Sequence, residues 1–151
     1  MVNGSNIIKL SKMDHTDAKC VTKLCEQLGF LGDEAEIGTR FNEIKRIETH
    51  EIFVAKETVK DLLVGFVHCY EAPSLLTGKT VEIGAIVVDS LYRRNGIGRI
   101  LMQKVEQWSK KRKSCYILLA TQTSRLGAQK FYQELGYEKE FATYFMRKRL
   151  N

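Results

Sequence analysis

Apolar positions change period several times along the chain, and each change predicts an element. Ile7-Ile8-Lys9-Leu10 is a short strand candidate. Asp14 then precedes Ala18, Val21, Leu24, Cys25 and Leu28 at helical spacing, a run stopped by Gly29. A second, more polar helix is expected over Asp33–Ile47, carrying Ile37, Phe41 and Ile44. Ile52–Ala55 and Leu62–Tyr70 read as a hairpin about a polar turn, Lys56–Asp61. Glu71–Lys79 holds Pro73 and Gly78 and should be a loop. Val81–Val88 is apolar and β-branched almost throughout, which predicts a strand buried on both faces. From Gly96 to about Arg112, Ile97, Ile100, Leu101, Val105 and Trp108 line one side of a helix. Cys115–Ala120 reads as another buried strand, and Ser124 as the cap of a helix bearing Leu126, Ala128, Phe131, Tyr132 and Leu135, closed by Gly136. Phe141–Met146 is expected to be a last strand.

The order β-α-α-β-β-β-α-β-α-β combines a hairpin with a strand–helix–strand crossover at Val81–Ala120. The expected fold is therefore α/β with a mixed sheet. With 151 residues, one proline and no repeat or linker, residues 1–151 are expected to form a single domain. No apolar run approaches the roughly 20 residues of a membrane span. Met1–Asn6 also lacks the character of a signal peptide. Cys20, Cys25, Cys69 and Cys115 match no zinc spacing and read as reduced, mostly packed thiols. A cytoplasmic protein without a metal is the expectation.

The net charge of +6 suits an anionic partner, and its distribution says where. Tyr92 to Lys113 holds eight basic residues against one acid, Glu106. The run Lys110-Lys111-Arg112-Lys113 is what a helix C-terminus attracts. Without interleaved aromatics it argues against nucleic acid as a partner. The front of the cluster differs. Arg93-Arg94-Asn95-Gly96-Ile97-Gly98-Arg99 falls where a strand hands over to a helix. Unpaired N–H groups there attract phosphate, and two glycines let a pyrophosphate approach the backbone.

Arg93-x-x-Gly96-x-Gly98 in this setting resembles the acetyl-CoA signature of the GNAT N-acetyltransferase superfamily. Ala128-x-x-x-Tyr132-x-x-x-Gly136-Tyr137 resembles that family's last-helix pattern, although Arg125 stands where many members have Asn. The resemblance implies a GNAT-like fold: a central, mostly antiparallel sheet, a parallel crossover at the acetyl-CoA site, and helices on both faces. Acetyl-CoA would be the co-substrate. Backbone groups of Ile86, Val87 and Val88 would hold its pantetheine arm where two strands splay, and the amides from Arg94 to Arg99 its pyrophosphate. A backbone N–H near Val88 would meet the thioester oxyanion.

The implied reaction is attack of an amine on the thioester. Freeing an alkyl ammonium at pH 7 costs roughly 4–5 kcal/mol, so a base helps. Glu82 is the sole acid within Val81–Val88 and stands eleven residues before Arg93, the separation that family members with a strand glutamate show. It is the candidate base, directly or through water; it can also be read as an edge-of-core residue bonded to a neighbouring strand. Tyr132 is the candidate acid for the CoA thiolate, or else a core aromatic like Phe131. His15 and His50 read as loop or cap residues, and His68 and Trp108 as structural. The expected acceptor is a small amine, aminoglycoside-like or polyamine-like, ahead of a protein N-terminus or lysine. Asp33, Glu34 and Glu36 could line its site or merely cap and solvate a helix. The alternative is an acyl-CoA-binding module without turnover. A homodimer is compatible with the resemblance.

Overall fold

A computed structural model describes residues 7–151; Met1–Asn6, read above as lacking a leader, lie outside them. The chain forms two compact units, one reaching to Leu119 and one from Ala120 to Asn151.

The first unit is built on a five-stranded sheet in sequence order: β1 (Ile8–Lys12), β2 (His50–Glu57), β3 (Leu62–Glu71), β4 (Thr80–Val88) and β5 (Tyr116–Leu118). The first three pairings are antiparallel, and β4 with β5 is parallel. The mixed α/β fold expected from the order of elements is the one observed. Helices α1 (Ala18–Glu26) and α2 (Glu34–Ile44) pack on one face, against Ile52, Val54, Phe66 and Val87. Helix α3 (Ile97–Lys111) covers the other through Ile97, Leu101 and Val105, against Phe53, Val64, Val67 and Val81. Gly65 permits that close approach. A Cβ there would meet the Val87 carbonyl oxygen at 3.0 Å and Leu101 at 3.3 Å.

Local chemistry sets the boundaries. Asp14 caps a 3-10 turn, His15–Asp17, in a reciprocal box with Asp17, and this turn leads into α1. Asp33 caps α2 by accepting from the Glu36 N–H at 2.9 Å. Helix α2 is shorter than expected, ending at Ile44. Buried Glu57 organises the hairpin turn, accepting from the Val59 and Lys60 amides at 2.9 and 2.8 Å. A polar pattern gave no hint that this carboxylate would be 1% exposed.

Two expected strands are corrected. β5 is an edge strand of three residues with Tyr116 62% exposed, not a buried Cys115–Ala120 strand. β4 is only partly buried, because β5 pairs with it solely at Thr80–Glu82.

In the second unit, α4 (Leu126–Glu134) ends as the sequence predicts. Gly136 at φ +93° lets the Tyr137 N–H reach the Tyr132 carbonyl and its own N–H the Gln133 carbonyl, both at 3.0 Å. Its start differs. Arg125 occupies the cap position without a side-chain bond, and Ser124 accepts from the Leu126 amide through its carbonyl rather than its hydroxyl. The expected strand Phe141–Met146 is absent. Among the described residues it finds no ladder partner, and Phe141, Tyr144, Phe145 and Met146 lie exposed.

Candidate active site

A one-residue bulge in β4 decides which side chains share a face. The β3–β4 register steps from His68↔Ala85 to Cys69↔Ile83, leaving Gly84 as the extra residue. Such an insertion flips the alternation. Val87 and Ala85 lie on the α1/α2 side, and beyond the bulge Glu82 takes that side while Ile83 and Val81 turn toward α3. A Cβ on Gly84 would come within 2.9 Å of His68 Nδ1, so this crossing needs a glycine.

Glu82 thereby meets a polar cluster. Tyr70 Oη donates to Glu82 Oε2 at 2.8 Å. The Tyr70 ring stacks on His50 with centroids 4.9 Å apart, and His50 Nδ1 shares a hydrogen bond with His68 Nε2 at 3.0 Å. Burial, with help from the Glu82 bond and charge, pushes the Tyr70 phenol up. Burial first and the nearby His50 second push His68 down to about 4. Burial also lowers His50. Glu82 is thus bonded to the neighbouring strand, as the structural reading of it expects. That bond occupies one of its two oxygens.

The histidine cluster was not foreseen. His50 opens β2 instead of lying in a loop, and His68 and Tyr70 follow Phe66 at alternate positions of β3. Their sequence signal is the period-2 spacing of Phe66, His68 and Tyr70. It identifies a shared face, but pairing with His50 and Glu82 depends on register. A groove of about 640 Å³ beside α2 takes in Phe41, Ile44, His50 and Ile52 but neither Tyr70 nor Glu82.

The far half of β4 offers backbone. The Asp89 N–H bonds to the Val64 carbonyl at 2.8 Å, which sets the phase of the ladder. By antiparallel alternation Val87 spends its peptide groups on β3, while Ile86 and Val88 aim theirs at the opposite edge. That edge is unpaired from Ile83 to Val88 among the described residues. Of the three residues expected to offer backbone groups, Ile86 and Val88 turn theirs to this edge and Val87 turns its own to β3. The Val88 carbonyl is already taken, accepting from Arg93 Nε at 3.1 Å.

The glycine segment follows directly. Arg94 (φ +63°) and Gly96 (φ +79°) adopt left-handed conformations, and Asn95 ties the turn by donating to the Tyr92 carbonyl at 3.1 Å. Gly96 is the N-cap of α3 and has no side chain to cap it. The first helical bond is from the Ile100 amide to the Gly96 carbonyl, so the amides of Ile97, Gly98 and Arg99 precede it. Ile97 is a core side chain, 1% exposed, and has only its N–H to offer. Arg93, Arg94 and Arg99 stand exposed around these amides. Such a helix start fits phosphate oxygens.

Tyr132 lies on α4, half-buried beside Phe131 and edge-on to Tyr137. Burial raises its phenol above the ordinary range, with Arg125 opposing. It keeps its proton at neutral pH.

Other candidates resolve into structural roles. Cys69 is buried and its thiol is pushed up to about 12, chiefly by burial, while Cys115 is exposed. Arg112 of the basic run pairs with Glu71 at 2.8 Å and lies over Trp108. Glu36 pairs loosely with Arg40 one turn along α2. Among the described residues no cluster of three or more His, Cys, Asp or Glu could hold a metal, and no helix is long and apolar enough to cross a membrane.

Residues 21–137 match the model of the acetyltransferase (GNAT) family. The chain belongs to that family. Solved structures agree on the fold. An aminoglycoside N-acetyltransferase, AAC(6')-Iy, in complex with CoA is 21% identical, with a TM-score of 0.85 over 99% of both chains. Glucosamine-6-phosphate N-acetyltransferase from Arabidopsis thaliana is 22% identical, with a TM-score of 0.81 over 96% of this chain and 99% of that one. Human N-acetyltransferase 8 is 31% identical over 70 residues, 46% of this chain and about a third, 31%, of that protein's length.

Proposed function

We propose that this protein transfers the acetyl group of acetyl-CoA to a primary amine of a small molecule, aminoglycoside-like or polyamine-like. The observation that carries this reading is the sequence of features at the end of β4. Among the described residues, a strand edge unpaired from Ile83 to Val88 runs into an α3 N-terminus with no side-chain cap, and Arg93, Arg94 and Arg99 are exposed next to it in sequence. An extended amide-bearing arm with a pyrophosphate at its end is the ligand those two features fit together. Ile86 and Val88 would pair with the arm, and the Ile97, Gly98 and Arg99 amides would take the phosphates. The preference for a small acceptor draws support from the substrates in the names of the structural relatives.

In this reading Glu82 takes a proton from the acceptor ammonium, leaving a nitrogen lone pair that attacks the thioester carbon. A C–N bond forms and the carbonyl oxygen gathers charge. Ile86 and Val88 both aim an N–H at the open edge, and the one the arm leaves free is the donor available to it. The C–S bond then breaks with its electron pair on sulfur, Tyr132 supplies the proton that makes CoA-SH, and the nitrogen sheds its second proton to solvent as the amide forms. The phenolate it leaves is restored from solvent, and Glu82 returns its proton there. The four free cysteines suit a reducing, cytoplasmic setting.

The test is CoA thiol release from acetyl-CoA across aminoglycosides, polyamines, free amino acids and basic peptides. Wild type is run beside Glu82→Gln. Amine-dependent release that falls about 10²-fold or more in the variant is expected, the scale for loss of a general base. Equal release by both proteins would remove Glu82 from the chemistry. Acetyl-CoA binding without release on any amine would leave a non-catalytic binding module.

A further inference from the structure

Tyr70 stands between the carboxylate and the histidines, and each contact constrains a different part of it. Its oxygen is committed to Glu82 Oε2 at 2.8 Å. Its ring lies nearly parallel to His50, 15° from coplanar, and His50 is in turn bonded to His68 at 3.0 Å. We propose that Tyr70 is the positioning residue of this site: by holding Oε2 it presents Oε1 of Glu82 to the acceptor nitrogen. The proposal rests on the reading of Glu82 as the base.

A glutamate side chain has three torsions, and the last is broad and soft, so an untethered carboxylate samples many orientations. Proton transfer needs heavy atoms within about 3 Å, and misplacement by about 1 Å can cost 10²-fold. Among the described residues the Tyr70 phenol is the hydrogen-bond partner of Glu82. The phenol can aim the carboxylate only if its own ring is fixed. Two planar groups from adjacent strands fix it, since His50 pairs across from Tyr70 in the β2–β3 register. The His50–His68 bond requires one ring nitrogen to donate and the other to accept. Two protonated rings would face each other donor to donor, and burial keeps His68 neutral through the working range. The groups that bear on this pair and on Tyr70 are His50 from β2, His68 from β3 and Glu82 from β4. On the opposite face, Glu51 and Arg112 act on Cys69.

Tyr70→Phe keeps the ring and removes only the O–H. That bond is what holds the carboxylate in one orientation, so losing it should let the Glu82 side chain sample several. That loss of order is read by carbon-13 NMR of the Glu82 side chain on the free protein and needs no acceptor. With spermine and neamine as probe amines, kcat should fall about tenfold while the KM for acetyl-CoA holds. A Glu82 side chain as ordered in Tyr70→Phe as in the wild type overturns the proposal. So does unchanged kcat in Tyr70→Phe while Glu82→Gln is inactive, and in that case the base reading survives. Full turnover in Glu82→Gln overturns the base reading itself, and the proposal with it.

Discussion

The two faces of one sheet have opposite characters. Toward α3, Val64, Val67, Val81, Leu101 and Val105 are fully buried with no polar group among them. On the other face, α1 and α2 cover Phe66 and Val87 and stop short. The same strands continue beyond into half-buried His50, His68, Tyr70 and Glu82. The dry face is a source of stability. The half-covered face keeps titratable groups partly desolvated, where a hydrogen bond or a charge has more effect than in water. One residue, Gly84, decides that Glu82 falls on the second face instead of the first.

The largest stability effect should come from the dry face. Leu101 is fully buried between α3 and β3, and Leu101→Ala removes an isopropyl group from a packed site. A loss of about 2–5 kcal/mol is expected in denaturant unfolding. If the two faces are as separate as their chemistry suggests, the acidic limb of the activity profile should not move in the folded variant. A moved limb would show that packing under α3 sets the geometry of Glu82.

The half-covered face should appear instead in the pH dependence of stability. His68 is held at about 4 in the folded protein against an ordinary 6.5. The unfolded chain therefore binds more protons between those values, and the stability from keeping His68 neutral is complete above about pH 6.5. It drains away as pH falls toward 4, by up to about 3 kcal/mol. His68→Gln should flatten that slope in urea melts across pH 4–7, and an unchanged slope would assign it to other groups.

How much of this could be read from the sequence follows from what each feature depends on. The proposed phosphate cradle rests on contiguous residues, so Arg93, Gly96 and Gly98 suggest it from the sequence alone. Helix α3 and the mixed sheet were likewise legible, since periodicity and element order are local. The Tyr70–Glu82 contact depends on strand register and on a bulge. A pattern that reads β4 as uniformly apolar cannot say on which face Glu82 stands. The edge character of β5 was hidden because burial reflects how far a strand is paired as well as its composition. Phe141–Met146 has strand-like residues yet no ladder, for the related reason that a strand exists only with a partner.

The smallest effect, and the sharpest test of the cradle, is at Gly96. A Cβ there meets nothing within 4 Å, so space does not require glycine, but φ +79° does. A β-branched residue is strained in that region, whereas asparagine tolerates it. Gly96→Val should therefore disturb the α3 start and lift the acetyl-CoA dissociation constant at least tenfold, about 1.4 kcal/mol or more. Gly96→Asn should keep the turn and lose less. Calorimetry on both variants separates the contributions. Equal losses would mean that any side chain blocks the phosphates, while a loss confined to valine would mean that the left-handed turn aims the Ile97–Arg99 amides. Unchanged affinity in both would remove this helix start from the acetyl-CoA site while leaving the chemistry of the half-covered face intact.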